Sequence, residues 1–312
     1  MFQPNLRHLE MFQLLMKTRS LTETARLMRI SQPAVSQALR ELEGQLGLTL
    51  FLRSGGRIRP SEEALTIRSD IERVLGQVSA LSARAEDLRN TRAGHVSIAA
   101  IPVVATSIIP AAIAALRTER PMSRLTLRSL ATGDVVQMVK EERVDLGFVV
   151  APIDEMLAGA EPLFETILAC VLPKEHRLAE KEAITAADLD GETVIALSTE
   201  IPPGLLLQEA LNRRRVEDFV AIGTNSAAAA VELVMEGVGI AIVDPMPLVR
   251  NADTSGLVIR PFEPGVSITV LALFSRNRPL PKIALQFVNH TRHTFVDTAR
   301  RLKALGIPAE AL

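Results

Sequence analysis

Four polar side chains in the segment SQPAVSQALRELEGQLG have the chemistry to read a nucleic-acid duplex. Gln32, Ser36, Gln37 and Arg40 fall off the apolar stripe of Val35, Leu39, Leu42 and Leu46, so a helix here would bury one face and offer these four from the other. Glutamine pairs two-pronged with adenine and arginine with guanine or phosphate, and a good base contact is worth roughly 1–3 kcal/mol of discrimination. A few residues on, Arg53, Arg57 and Arg59 surround Ser54-Gly55-Gly56, a strong turn inside LTLFLRSGGRIRP, which has strand character on both sides. Guanidinium groups on such a hairpin wing suit phosphate or minor-groove contacts beside a helix in the major groove.

Other reactive residue types are scattered. His8, His95, His176, His290 and His293 form no HExxH or similar ligand spacing, and the pair His290/His293 reads as part of a solvated helix face. Cys170 sits within the apolar run ILACVLP without a second cysteine, which predicts a core residue and excludes an internal disulfide. GxGxxG, Walker and GxSxG motifs are absent, so no cofactor, no metal and no enzymatic activity is expected.

The elements that must position the polar row come next. Leu6, Leu9, Phe12, Leu14 and Leu15 recur at helical spacing, predicting a helix over 5–18 with Asn5 as its cap. Thr22 opens a short second helix, and Ser31 caps a third with Pro33 in its first turn, where a missing N–H is tolerated. Two short helices and a tight turn, then a wing, make a winged helix-turn-helix. From 61 to 92 the chain has no proline, and Ile67, Ile71, Val74, Val78, Leu81, Ala85 and Leu88 alternate in steps of four and three. Such a seam predicts one long helix, about 45 Å at 1.5 Å per residue, that pairs with a second copy; Gly76 would mark a bend or close approach.

Charge follows the same division. Residues 1–92 hold 14 Lys and Arg against 10 Asp and Glu, a surplus of +4, whereas the remainder carries −5. The basic end is the nucleic-acid end, and with ten Phe and no Trp or Tyr, base-stacking platforms have little to build on, which favours duplex DNA. With 47% hydrophobic and 23% charged residues, disorder and disulfide scaffolds are excluded, and no apolar run reaches the ~18–20 residues of a membrane span. The N-terminal MFQPNLRHLEMFQLL lacks a signal-peptide pattern, so a cytoplasmic location is expected.

Past Gly94 strands alternate with helices: HVSIAAIP, IIPAAIAALRTER, SRLTLRSL, DVVQMVKEER and VDLGFVV, then a second series opening on the strand ETILACVLP. This predicts α/β architecture with parallel sheets in two lobes, crossed twice by the chain, with a ligand cleft between them. Expected boundaries are a DNA-binding head at 1–60, a linker helix at 61–92 and an effector domain at 93–312, with lobe I at 93–165 plus 266–312 and lobe II at 166–265. The lobed half alone would equally suit a small-molecule binding module with only architectural DNA contacts, but the basic winged head favours sequence reading.

The segment SQPAVSQALRELEGQLGLTLFLRSGGRIRPSEEA resembles the signature of the LysR-type transcriptional regulators of bacteria, and VDLGF, VLPKEHRLA and GVGIAIVDP follow in matching order over nearly the whole chain. The resemblance implies a winged helix-turn-helix, a dimerising linker helix, a periplasmic-binding-protein-like effector domain, a homotetramer, promoter DNA as partner, and contact with RNA polymerase. In IPVVATSIIP, NSAAAAVELVMEGVGIAIVDP and SGLVIRPFEP the effector half resembles the lysine- and opine-responsive branch, implying an amino-acid-like effector. Carried over, Gln32, Pro33, Ser36 and Gln37 match base-facing positions and Arg53 a wing arginine. Effector contacts map to Pro102, Val103, Thr106 and Ser107, to Ser198, Thr199 and Glu200, and to Thr224, Asn225 and Ser226. Two departures stand out: Gln37 replaces an arginine common in the family, and Ala64 replaces the usual glycine after the wing.

Overall fold

A computed structural model describes residues 5–54, 57–89, 94–153, 159–212, 220–250 and 255–312. In the N-terminal unit, helices α1 (Leu6–Thr18), α2 (Leu21–Met28) and α3 (Gln32–Leu46) precede an antiparallel pair, β1 (Phe51–Ser54) and β2 (Arg57–Pro60), and the long helix α4 (Glu62–Arg89). Asn5 caps α1 by accepting from the Arg7 amide, and Ser31 caps α3 by accepting from Ala34. The cap of α2 is Ser20, which accepts from Glu23, and not Thr22, which lies one residue inside the helix. In the turn between α2 and α3, Arg29 adopts a left-handed conformation (φ 56°) that lets the Ile30 amide reach back to Ala25.

Leu9, Met11, Phe12, Leu15, Val35, Leu39, Leu42, Leu50 and Ile58 seal the core of this unit, with Phe12 edge-on to Phe51 at 5.6 Å. Ala64 is fully buried there, in the first turn of α4, and its amide donates to Ser61; a side chain at this position extends the core where glycine would leave a gap. The seam of α4 divides. Ile67 and Ile71 pack on the helix-turn-helix core, whereas Val74 and Leu81 are exposed; the side chains of Ala85 and Leu88 lie outside the described ones. The helix runs unbroken through Gly76.

The C-terminal unit holds two six-stranded sheets. The first has the order β14-β6-β13-β5-β3-β4, built from β3 (His95–Ala100), β4 (Arg124–Ser129), β5 (Leu146–Val150), β6 (Gly159–Ile167), β13 (Ser267–Phe274) and β14 (Ala309–Ala311). Helices α5 (Pro102–Ser107), α6 (Ile109–Glu119), α7 (Thr132–Lys140) and α10 (Lys282–Ala304) belong to this lobe. The second sheet has the order β10-β9-β11-β7-β12-β8, from β7 (Ala169–Pro173), β8 (Ile184–Thr185), β9 (Val194–Leu197), β10 (Val220–Thr224), β11 (Ile240–Val243) and β12 (Leu257–Glu263), with α8 (Pro202–Asn212) and α9 (Ala227–Met235).

Both sheets are mixed, which corrects the expectation of parallel sheets. Strands of the helix-connected series do run parallel where they pair, as in β3–β4, β3–β5, β9–β10 and β9–β11. The strands that carry the chain between lobes pair antiparallel: β13 with β5 and β6, and β7 with β11 and β12. The run ETILACVLP is therefore two strands, not one. Thr166 and Ile167 still pair with β13, so the first crossing falls at Leu168, two residues past the expected boundary, and the second spans Pro264–Val266.

Candidate functional site

On α3, Gln32, Pro33, Gln37 and Arg40 are exposed and Ser36 is half-buried, while Val35, Leu39 and Leu42 on the other face are sealed. The polar row is internally ordered: Gln32 Nε2 donates to Ser36 Oγ at 3.0 Å, Arg40 Nε to the Ser36 carbonyl at 3.3 Å, and Gln37 Nε2 to Glu41 Oε1 at 3.0 Å. Two open grooves meet at Gln32. One of about 540 Å³ is lined by Pro33, Ser36, Arg40, Glu43 and Ile58, and one of about 940 Å³ by residues 18–22 and Ile58 to Pro60. Arg53 sits on β1 opposite Ile58, and Arg57 on β2 opposite Ser54. The side chains of Arg53 and Arg57, and the turn residues Gly55 and Gly56, lie outside the described ones. Helix and strand pair thus carry amide-bearing and guanidinium-bearing residues on neighbouring elements.

Glu43 joins the two elements. Its Oε1 accepts from the Leu50 amide at 2.7 Å and the Phe51 amide at 3.1 Å, pinning the start of β1 to the last turns of α3. Glu43→Ala removes the acceptor from two amide donors and is expected to lower stability by about 1–3 kcal/mol. Glu43→Gln, which keeps an acceptor oxygen, should lose less; thermal melts in which Glu43→Ala matches the parent would contradict this role.

In the C-terminal unit the lobe II candidates are brought together. The Ser198 amide donates to the Thr224 carbonyl at 2.8 Å, which sets the loop after β9 against the loop after β10. Ser198 Oγ accepts from the Glu200 amide, Thr224 Oγ1 from the Ser226 amide, and Ser226 Oγ from the Ala229 amide as cap of α9. Thr199, Glu200 and Asn225 are exposed beside them. Gly204, at the start of α8, explains the tight fit: a Cβ there would stand 2.2 Å from the Leu197 and Ser198 carbonyl oxygens.

The lobe I candidates lie on a single helix. Pro102, Val103, Thr106 and Ser107 make up most of α5. Thr106 Oγ1 donates to the Pro102 carbonyl at 2.8 Å, and Ser107 is buried with its hydroxyl donating to the Val103 carbonyl. Sequence reasoning missed a hollow of about 310 Å³ inside lobe II, where Ser198 and Thr199 meet Leu207, Gln208 and Asn212 of α8.

The largest omission is Asp244. It follows the apolar strand β11 directly, is 2% exposed, and takes one hydrogen bond, from the Met246 amide to Oδ1 at 2.8 Å, while its Oδ2 is buried without a partner. Burial pushes its carboxyl up to about 7, against the single opposing hydrogen bond from Met246. An acidic residue capping an all-apolar strand, IAIVD, is the signal that could have found it.

The remaining reactive types are structural. His176 Nε2 lies 3.1 Å from Glu192, and His290, expected on a solvated face, is mostly buried and pairs with Glu119 on α6 at 3.3 Å. Burial first, then the Glu192 and Asp188 carboxylates, push the Cys170 thiol up to about 12. Native protein should therefore resist iodoacetamide at pH 8 for as long as it stays folded, and rapid stoichiometric alkylation would show that the thiol is accessible. Among the described residues, no cluster of three His, Cys, Asp or Glu could hold a metal, and no helix is long and apolar enough to cross a membrane.

These two sites sit in matching sequence contexts elsewhere. Residues 6–65 match the family described as "Bacterial regulatory helix-turn-helix protein, lysR family", and residues 89–296 match "LysR substrate binding domain". Over 291 residues the chain is 34% identical to the transcriptional activator protein LysR of Escherichia coli (strain K12), with 92% of each chain covered. The chain belongs to the LysR family. This LysR-family protein is also 30% identical, over 275 residues, to the octopine catabolism/uptake operon regulatory protein OccR of Rhizobium meliloti, covering 88% of this chain and 90% of OccR. Its fold matches full-length CbnR in complex with its target DNA, with a TM-score of 0.75 at 18% identity over 93% of this chain and all of that one. As a member of the family it is a DNA-binding transcriptional regulator with an effector-binding domain, and not an enzyme.

Proposed function

We propose that this LysR-family chain is a homo-oligomer that reads double-stranded promoter DNA through α3 and the β1–β2 wing, under control of an amino-acid-like molecule bound between the two lobes. The observation that carries the DNA reading is the exposed row Gln32, Pro33, Gln37 and Arg40 on a helix whose other face is sealed. Residues 1–60 serve as the head, 61–92 as the pairing helix and 93–312 as the effector domain. One head covers one half-site, and Val74 and Leu81, exposed on the heptad seam of α4, suit the matching helix of a second copy. Dimers then pair into a tetramer. Effector binding alters how the effector domains pack, and with it DNA bending and RNA polymerase access; only a ligand with unequal affinity for the two assemblies can do this.

Two features support an amino-acid-like effector. The hydroxyl-rich loops at Ser198–Glu200 and Thr224–Ser226 lie side by side, the second at the start of α9, where carboxylates bind well, and the similar protein OccR carries octopine in its name. A panel of L-lysine, L-arginine and octopine tests the reading on the full-length protein. One of them should raise the melting temperature, with about 2.7 kcal/mol of stabilisation at a hundredfold excess over Kd, and at that concentration change the footprint on bound DNA. An unchanged footprint and unchanged transcription at a saturating concentration of the ligand would contradict effector control.

A further inference from the structure

We propose that the Asp244 carboxylate anchors a cationic nitrogen of the effector, an ammonium or guanidinium group, at the hinge end of the cleft between the lobes. This rests on the effector reading above and narrows its chemistry. Asp244 is 2% exposed, and its Oδ2 is sealed from solvent without a hydrogen-bond partner in the chain. Buried polar atoms in folded proteins are nearly always paired, and an ionisable one left over points to a partner from outside the chain.

The strand registers give the position. Ile242 pairs with Ala196 of the parallel strand β9, so two residues further on Asp244 falls level with Ser198. On the other side Val243 pairs with Ala169, which places Asp244 beside Leu168, the residue at which the chain passes between lobes. The carboxylate thus stands at the C-terminal ends of parallel strands, the edge at which open α/β sheets take ligands. It shares that edge with Ser198–Glu200 and Thr224–Ser226. Their hydroxyls and the start of α9 at Ser226 suit a carboxylate, and Asp244 supplies the opposite pole, so the edge offers both ends of a zwitterion a partner.

The same segment ties the lobes together. Six residues after Asp244, Arg250 Nη1 donates to Asp297 Oδ2 on α10 at 2.9 Å, and Arg301 of α10 donates to the Val249 carbonyl at 3.2 Å. A cation held by Asp244 therefore acts on the stretch that links lobe II to the long helix of lobe I.

The test uses full-length protein, Asp244→Asn and Asp244→Ala, titrated at pH 8 with L-lysine, L-arginine and octopine, and with succinate and benzoate as nitrogen-free acids. Asp244→Asn keeps an acceptor for the Met246 amide, so its own melting curve reports that it folds. The expected result is binding of at least one nitrogen-bearing probe by the parent, a loss of about thirtyfold or more in both variants, and no binding of the two acids. Equal affinity in parent and Asp244→Asn overturns the role of Asp244 and leaves the amino-acid-like effector standing. Binding of a nitrogen-free acid alone, or of no probe, overturns both and leaves the DNA-reading head untouched.

Discussion

Alanine at both Gln37 and Arg53 is expected to lower specific operator affinity by roughly 30-fold to 20,000-fold, the combined loss of two contacts worth about 1–3 kcal/mol each. The two substitutions act differently. Gln37 is exposed at the centre of the polar row and is the proposed base reader, so Gln37→Ala alone should flatten preference at one base pair in each half-site. Arg53 lies in β1 of the wing, and its loss should weaken binding across sequences and reduce the salt slope by about one. Gln37 makes no core contact, so the melting temperature and any ligand-induced shift of the Gln37→Ala protein should match the parent's. A double variant that still selects the same sites with parental affinity would refute the contact assignment.

Asp244→Asn is expected to stabilise the ligand-free protein increasingly as pH rises from 5 to 8. The Asp244 carboxyl stands near 7 in the folded chain against 3.8 ordinarily, so between those values the folded state holds a proton that the unfolded state has released. Stability supplied by the protonated group is complete below about pH 4 and drains away as pH climbs through 7. Above 7 the folded chain carries the whole cost of an ionised, half-satisfied carboxylate, on the order of 4 kcal/mol. Asparagine does not titrate there. The difference between the two melting profiles isolates this group, because the other titrations are common to both proteins. Parallel profiles from pH 5 to 8 would mean that Asp244 is ionised and paired throughout.

The helical head was legible because its signals are local. Ser31 and Pro33 mark the start of α3, and the stripe of Val35, Leu39 and Leu42 marks its buried face, all within a dozen residues. Where two equivalent hydroxyls compete, local signals slip: Ser20 and Thr22 are both capable caps, and the choice depends on the turn after α1, where Arg19 adopts a left-handed conformation (φ 52°) without a glycine to announce it. Sheet membership was not legible in ETILACVLP. An apolar run carries no mark for the point at which a chain leaves one sheet and enters another, and only the pairing of Ile167 with Ser267 and of Ala169 with Val243 sets it. The short β14 is equally silent, since AEA becomes a strand only through its neighbour β6.

For the sites, residue type was informative and environment was not. Hydroxyls at 106, 107, 224 and 226 satisfy backbone groups of their own helices and loops, a role that the sequence cannot separate from ligand contact. Asp244 is the converse case. Its charge is visible in IAIVDP, but its burial follows from β11 being central in its sheet, between β9 and β7.

The most direct test of sequence reading is selection of fragments from the source genome by purified full-length protein at ~150 mM salt, where much phosphate-only binding is screened. Specific sites should exceed the background by roughly a thousandfold or more. A few enriched sites with dyad symmetry are expected, half-sites one or more helical turns apart, that disappear with the Gln37→Ala, Arg53→Ala protein. Uniform recovery of fragments, with or without the amino-acid panel, would contradict sequence reading and leave a ligand-binding protein whose head holds DNA without reading it.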